Sequence, residues 1–300
     1  MPCRRAFITW AASAVLGTTG GAARAAAPQS DDLEQHDLRL NGDAELARRA
    51  LVLVPKQRPA GAELPLLILL HGLGETGNEL LGIHAWAERY GLVRAHERLL
   101  RPPVARELGG PRYLADGRIA QLNASLDSRP FRGVVLACPV TPNPYRLQPA
   151  PRTLDRYAQW LHEVLIPAVR RVAPVRTDRS GVGLDGCSLG GYVGLEVFLR
   201  RPWLFGTFGT VQGAYGVSRA PDYAARIAAA IQRVGPTPIH LETSSGDPYR
   251  RAQEALSREL RDRGVPHTLR VPPGPHNQPW LREVGTLEML LWHSRQLGAH

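Results

Sequence analysis

Cysteine is scarce in this 300-residue chain, which has only Cys3, Cys138 and Cys187. Three cysteines cannot build the bridged framework of a small secreted scaffold. Lysine is scarcer still: Lys56 is the only one, so nearly all of the 37 basic residues are arginine. They outnumber 27 acids and give a formal charge of +10. Pairs such as Arg200-Arg201 and Arg250-Arg251 are interspersed with acids, and no basic run is clustered enough for a nucleic-acid or anionic-surface footprint. No nucleic-acid partner is expected. Cofactor signatures are lacking too. There is no CxxC or HExxH spacing, no acidic cation loop, no P-loop and no dinucleotide fingerprint. Any chemistry is expected to use protein groups alone, with no metal and no cofactor. What the chain does have is 43% apolar residues over a length that suits one sizeable core, which excludes a disordered chain and a collagen-like repeat.

Acidic residues are absent from residues 1–27. This stretch opens with Arg4-Arg5, passes through short apolar runs and ends in Ala23-Arg24-Ala25-Ala26-Ala27. A basic start, a short apolar middle and a small-residue end are the pattern of an export signal. Arg4-Arg5-Ala6-Phe7-Ile8 resembles a bacterial twin-arginine motif, with Cys3 where Ser or Thr usually stands. Gly, Ser and Thr dilute the apolar middle, so it makes a poor permanent anchor, and no second apolar segment has membrane length. The sequence therefore predicts a removed signal over residues 1–27 and a single domain over 28–300, periplasmic or extracellular, with no membrane span. Cleavage after Ala25 or after Ala27 fits equally well, and no cysteine lies there to mark a lipoprotein. Loss of Arg4, Arg5 and Arg24 lowers the charge to +7.

Beyond residue 27 the pattern alternates strands and helices. Leu66–Leu70 is a continuous aliphatic run, as in a parallel strand buried on both faces. Ala50–Val54, Val134–Ala137, Val182–Asp185, Phe208–Val211, Ile239–Glu242 and Thr268–Val271 are further strand candidates. Leu154–Val172, Leu189–Arg201, Tyr249–Arg263 and Leu281–Leu297 have helical spacing. The alternation predicts an α/β fold with a mostly parallel sheet. The long interval Gly72–Arg132 is expected to supply a pocket wall or lid.

Gly186-Cys187-Ser188-Leu189-Gly190 carries the strongest chemical signal. It is Gly-x-Ser-x-Gly between a strand and a helix, the context in which a serine nucleophile is held on a sharp turn. The flanking glycines let backbone pass close to backbone. Reading Cys187 as the nucleophile would put Asp185 where a glycine is needed, so Ser188 is the candidate. A second glycine-rich turn, His71-Gly72-Leu73-Gly74, follows the strand Leu66–Leu70. Its Leu73 N–H and the Leu189 N–H are the candidate donors to an oxyanion. His71 is expected to brace that turn. A serine needs a base, and of ten histidines His276 lies in a loop directly after the last strand candidate, within reach of the same crevice. Asp247, just after the strand Ile239–Glu242, is the candidate acid to orient it, with an alternative role in starting the helix that follows. Glu242 is the second choice, and Asp185 is expected to be structural.

The order Ser188, Asp247, His276 with a glycine turn upstream is that of the α/β hydrolases, which the chain resembles over residues 36–297. His71-Gly72-Leu73-Gly74-Glu75-Thr76-Gly77 looks like the opening of the carboxylesterase and acyl-thioesterase group. Gly246-Asp247-Pro248-Tyr249 and Pro275-His276-Asn277-Gln278-Pro279-Trp280 look more like the esterase D and feruloyl esterase group, with Asn277 where that group commonly has Asp. The resemblance implies an α/β-hydrolase fold, helices on both faces of the sheet, and cleavage of carboxylic esters of small molecules or polymers through an acyl-enzyme. Thioester, amide or polyester cleavage and acyl transfer would use the same parts, and a non-catalytic envelope binding protein is the alternative outside enzymes. Tyr145, Tyr215, Tyr249 and Trp280 are candidate substrate contacts by loop position. In the implied strand order Cys138 and Cys187 stand two strand spacings apart, roughly 9.5 Å, so two free thiols are expected.

Overall fold

The computed structural model describes residues 30–106, 110 and 112–298. The expected export signal, residues 1–27, lies outside the described residues. Eight strands form one sheet: β1 (Leu33–Arg39), β2 (Arg49–Pro55), β3 (Leu66–Leu70), β4 (Val135–Pro139), β5 (Val182–Gly186), β6 (Thr207–Val211), β7 (Ile239–Glu242) and β8 (His267–Arg270). Their order is β1-β2-β4-β3-β5-β6-β7-β8. The β1–β2 and β2–β4 pairings are antiparallel, and every pairing from β4 to β8 is parallel. The seven expected strands are all present, with ends shifted by a residue or two.

β1 is additional. Its Glu34, Asp37 and Arg39 give it the appearance of a loop, but it is an edge strand with only Leu33 buried. Arg49 ties it down by donating from Nε to Asp37 Oδ1 at 2.8 Å, and its charged outer face protects an otherwise open edge.

The helices are α1 (Glu79–His84), α2 (Leu92–Leu100), α3 (Asp116–Ser128), α4 (Ala150–Trp160), α5 (Ile166–Val172), α6 (Leu189–Arg200), α7 (Ala220–Val234), α8 (Arg250–Asp262), the short α9 (Gln278–Trp280) and α10 (Thr286–Leu297). A π-helical turn over Leu161–Leu165 joins α4 to α5 and produces the single long helix expected there. A similar turn over Leu281–Gly285 joins α9 to α10. α7 was not among the expected helices, although Ala220, Tyr223, Ala224, Ile227 and Ala230 form a buried stripe at helical spacing. The Gly72–Arg132 interval carries α1, α2 and α3. No helix among the described residues is long and apolar enough to cross a membrane.

The two-residue period of β5 sorts the helices onto the two faces of the sheet. Gly183 and Asp185 face Leu297 and His293 of α10, whereas Leu184 between them faces Gly194 of α6. Both layers are therefore covered, as the continuous apolar strands require. From β3 the chain steps to β4 on one side and then returns past β3 to β5 on the other. The carboxyl ends of β3 and β5 thus flank the point where the winding reverses, where a crevice forms in open α/β sheets. Cys138 on β4 and Cys187 after β5 are buried free thiols with β3 between their strands.

Candidate active site

The crevice is built first from backbone. Ser188 follows β5 with φ 52° and ψ −117°, in left-handed space that non-glycine residues avoid. Its N–H donates to Val211 O at 3.0 Å, and its carbonyl accepts from Ala214 N at 2.9 Å. The turn is so tight that a Cβ on Gly186 would lie 2.4 Å from Gly190 O, and one on Gly190 would lie 2.1 Å from Leu70 O. Those two contacts are the steric reason for the Gly-x-Ser-x-Gly spacing. α6 starts at the next residue and aims its positive end at the serine.

The three side chains expected from distant segments meet there. Ser188 Oγ donates to His276 Nε2 at 3.1 Å, and His276 Nδ1 donates to Asp247 Oδ1 at 2.9 Å. Asp247 can only accept at that position, which fixes the imidazole proton on Nδ1 and leaves Nε2 free to take the serine proton. Asp247 Oδ1 also accepts from Tyr249 N at 2.9 Å, and its Oδ2 accepts from Thr243 Oγ1. The aspartate thus orients the histidine and also braces the chain entering α8. The His276 side chain is 25% exposed, while that of Asp247 is 0% exposed, so the relay runs from the solvent edge inward. Glu242, the second-choice acid, is buried beside His240 and does not meet His276.

The β3 turn is held from two sides. His71 is fully buried. Its Nδ1 donates to Gly72 O and its Nε2 accepts from Thr141 N, both at 2.9 Å, and burial lowers its pKa to about 4. It is a neutral brace. Gly72 N donates to Tyr90 Oη at 3.2 Å, and Tyr90 Oη donates to the buried carboxylate of Glu75. Tyr90 was not foreseen, because nothing local marks a tyrosine in the middle of a helical interval as a partner of this turn. Leu73 and Leu189 each stand first in a helical turn, where the N–H has no carbonyl within the helix to bond.

Gln212 is a second unforeseen contributor. With Ser188 it is one of two non-glycine residues at positive φ among the described residues. Its N–H donates to Glu242 O at 2.6 Å, and its side-chain amide donates to Ser244 Oγ at 2.8 Å and Pro275 O at 3.1 Å. It splices the ends of β6 and β7 to the loop that carries His276. Asp185 accepts from Gly186 N at 2.6 Å and from His293 Nε2 at 2.9 Å, so its role is to support the elbow from below.

Two arms of a cleft open from Ser188. One, about 630 Å³, runs past Gly72, Glu75, Tyr90, His276 and Leu281. The other, about 540 Å³, runs between Tyr145, Tyr192, Tyr215 and Tyr249 to Arg219. Tyr145, Tyr215 and Tyr249 therefore line the cleft as the sequence suggested. Trp280 does not. It is fully buried, donates Nε1 to Pro273 O at 3.0 Å and packs against Gly274 and Gly285. It supports the His276 loop from the core, a placement that loop position alone could not distinguish from a cleft wall.

No protein-family model matches the chain, and no curated protein is significantly similar to it in sequence. Solved structures are similar. A ferulic acid esterase superposes over 88% of this chain and 98% of its own, with a TM-score of 0.62 and 17% identity. An S-formylglutathione hydrolase from Staphylococcus aureus superposes over 89% and 98%, with a TM-score of 0.58 and 13% identity. A ferulic acid esterase from Anaeromyces mucronatus superposes over 89% and 92%, with a TM-score of 0.58 and 15% identity. The chain has the α/β-hydrolase fold.

Proposed function

We propose that this chain is an exported serine hydrolase that cleaves carboxylic esters through an acyl-enzyme. The observation that carries the reading is the unbroken relay Ser188–His276–Asp247, with its serine on a strained turn at the sheet's reversal point. Strain of this kind persists only where the surrounding structure over-determines it, and it clusters at active sites. Ser188 Oγ attacks the ester carbonyl as His276 Nε2 takes its proton. Asp247 holds the ring and stabilises the imidazolium. The N–H groups of Leu73 and Leu189 hold the oxyanion, in a form ready before charge develops. His276 then gives its proton to the leaving alcohol, and water, activated by the same ring, releases the acid. The ferulic acid esterases among the structural neighbours favour an ester over an amide substrate. The basic, acid-free segment over residues 1–27 supports export to the periplasm or beyond.

The test is hydrolysis of p-nitrophenyl esters from acetate to palmitate by residues 28–300, with Ser188→Ala in parallel. The expected loss in the variant is about 10³-fold or more in kcat, together with loss of labelling by a fluorophosphonate. Wild-type protein that neither turns over an ester nor takes the label at Ser188 would remove the enzyme reading.

A further inference from the structure

The two arms of the cleft differ in chemistry. The leaving oxygen must face the acid that protonates it, and His276 lines only the Glu75–Tyr90 arm. The alcohol therefore occupies that arm. The acyl group is left with the other arm, whose walls include Leu189 and five tyrosines but neither His276 nor an acidic side chain. Arg219 is the single charged residue lining it.

Arg219 is well placed to receive an anion. Its guanidinium lies 4.7 Å from the ring centroid of Tyr223, which holds its plane in place. Its ion pairs are loose: Nη2 is 3.5 Å from Asp222 and 3.8 Å from Glu196. Glu196 is already committed to Arg200, Arg226 and the Tyr223 hydroxyl. Neither acid lines the arm. Arg219 retains donors for a ligand. Hydroxyl donors surround the same space. Tyr145 and Tyr192 stack at 5.9 Å, Tyr249 lines the same arm, and among the described residues no hydrogen bond engages any of these three hydroxyls. Burial pushes all three above the ordinary tyrosine pKa, so they stay protonated as neutral donors.

We infer that Arg219 is a specificity-determining residue that selects acyl groups ending in a carboxylate, so that the preferred substrates are half-esters of dicarboxylic acids. This inference rests on the esterase reading above. The flat tyrosine walls accommodate the chain, and the arginine fork meets the carboxylate at its end.

The experiment compares mono-p-nitrophenyl succinate, glutarate and adipate with the neutral esters of matched chain length. The quantity read is the ratio of kcat/KM for each half-ester to that of its neutral partner. Arg219→Gln is expected to lower this ratio about tenfold for at least one chain length, through KM rather than kcat, as loss of a charge-assisted pair in a partly sheltered arm implies. Arg219→Lys should retain part of the preference. Arg226→Gln removes an equal charge from the same cluster without touching the arm, and should leave the ratio within twofold. Thermal melting of each variant checks that it folds. Ratios equal in wild type and Arg219→Gln at all three lengths overturn the inference while the esterase reading stands. An equal fall in Arg226→Gln also overturns it, since the effect would then be one of general charge. Wild type inert on every ester and unlabelled by a fluorophosphonate overturns both.

Discussion

Asp247→Asn separates the two services that this carboxylate performs. Oδ1 accepts from two donors, Tyr249 N and His276 Nδ1, whereas Oδ2 accepts from the Thr243 hydroxyl alone. The Tyr249 N–H is fixed backbone and cannot turn away. An asparagine at 247 must therefore keep its oxygen in the Oδ1 position and place its NH₂ toward Thr243, whose hydroxyl can rotate to accept. The imidazole then keeps its proton on Nδ1, and only the negative charge is lost. A hydrogen bond to a charged partner exceeds a neutral one by about 1–2 kcal/mol, and low local dielectric raises the difference, so the expected loss is about 10- to 100-fold in kcat/KM. That is well short of the about 10⁴-fold loss seen where an amide imposes the wrong tautomer on a catalytic triad. Asp247→Ala releases the ring altogether and should cost about 10³- to 10⁴-fold. The assay is kcat/KM on a short p-nitrophenyl ester, with guanidinium unfolding alongside. The Thr243 hydroxyl hydrogen, deprived of its acceptor, should destabilise the asparagine variant by about 1–3 kcal/mol. Asparagine as damaging as alanine would refute the argument, because it would mean the amide faces His276 with its NH₂. An alanine variant within tenfold of wild type would remove Asp247 from the relay.

Tyr90→Phe takes away the acceptor of the Gly72 N–H and the donor to Glu75. A loosened Leu73 turn should lower kcat about tenfold with KM nearly unchanged, and unchanged kcat would mean that the His71–Thr141 contacts alone hold it. Acid should destabilise the fold through buried neutral histidines, since burial lowers the pKa of His71 and His96 to about 4 and that of His293 to about 3. Above the ordinary value of 6.5 both folded and unfolded states are neutral at these sites and nothing changes. Between about 6 and 4 only the unfolded chain binds the protons, so stability falls with pH, by up to about 1.4 kcal/mol per pH unit for each histidine. Melting curves from pH 7.5 to 4.5 should show it. His96→Phe should flatten the slope, because both His96 ring nitrogens lack a hydrogen-bond partner among the described residues.

Legibility in the sequence followed the range of the interaction concerned. β3 and the elbow were readable because their determinants are local: a run buried on both faces, and glycines that a Cβ would drive into backbone. Ser188, Asp247 and His276 could be singled out because each follows a strand at the same end of a parallel sheet, and topology then brings them together. β1 was not readable, since its outer residues are charged and only the Arg49 ion pair and the β2 ladder reveal it. α7 was readable but not singled out: its stripe through Tyr223, Ile227 and Ala230 has helical spacing. Tyr90, Gln212 and Arg219 escaped for a different reason. Tyr90 and Gln212 act through partners elsewhere in the chain, as Gln212 does on Pro275, and Arg219 is marked only by the arm it lines; residue type alone reveals neither. Trp280 shows the converse error: an aromatic next to a catalytic-looking loop turned inward to support it.

The two strained residues explain how the relay keeps its spacing. Positive φ at a non-glycine position costs about 1–3 kcal/mol, and both instances, Ser188 and Gln212, stand at the ends of adjacent strands. Ser188 N bonds to Val211 O, the residue before Gln212. Gln212 in turn bonds through its side chain to Pro275 O, the residue before His276. Ser188 and His276 are thus joined by a path of two hydrogen bonds and a few covalent links that crosses no free loop. A right-handed backbone at Ser188 would aim Oγ elsewhere, and one at Gln212 would withdraw its amide from the His276 loop. Strain at the first residue presents the serine and strain at the second brings the imidazole to it. The 3.1 Å contact between them is therefore set by the ends of the sheet, which are rigid, and not by the long segments that connect them.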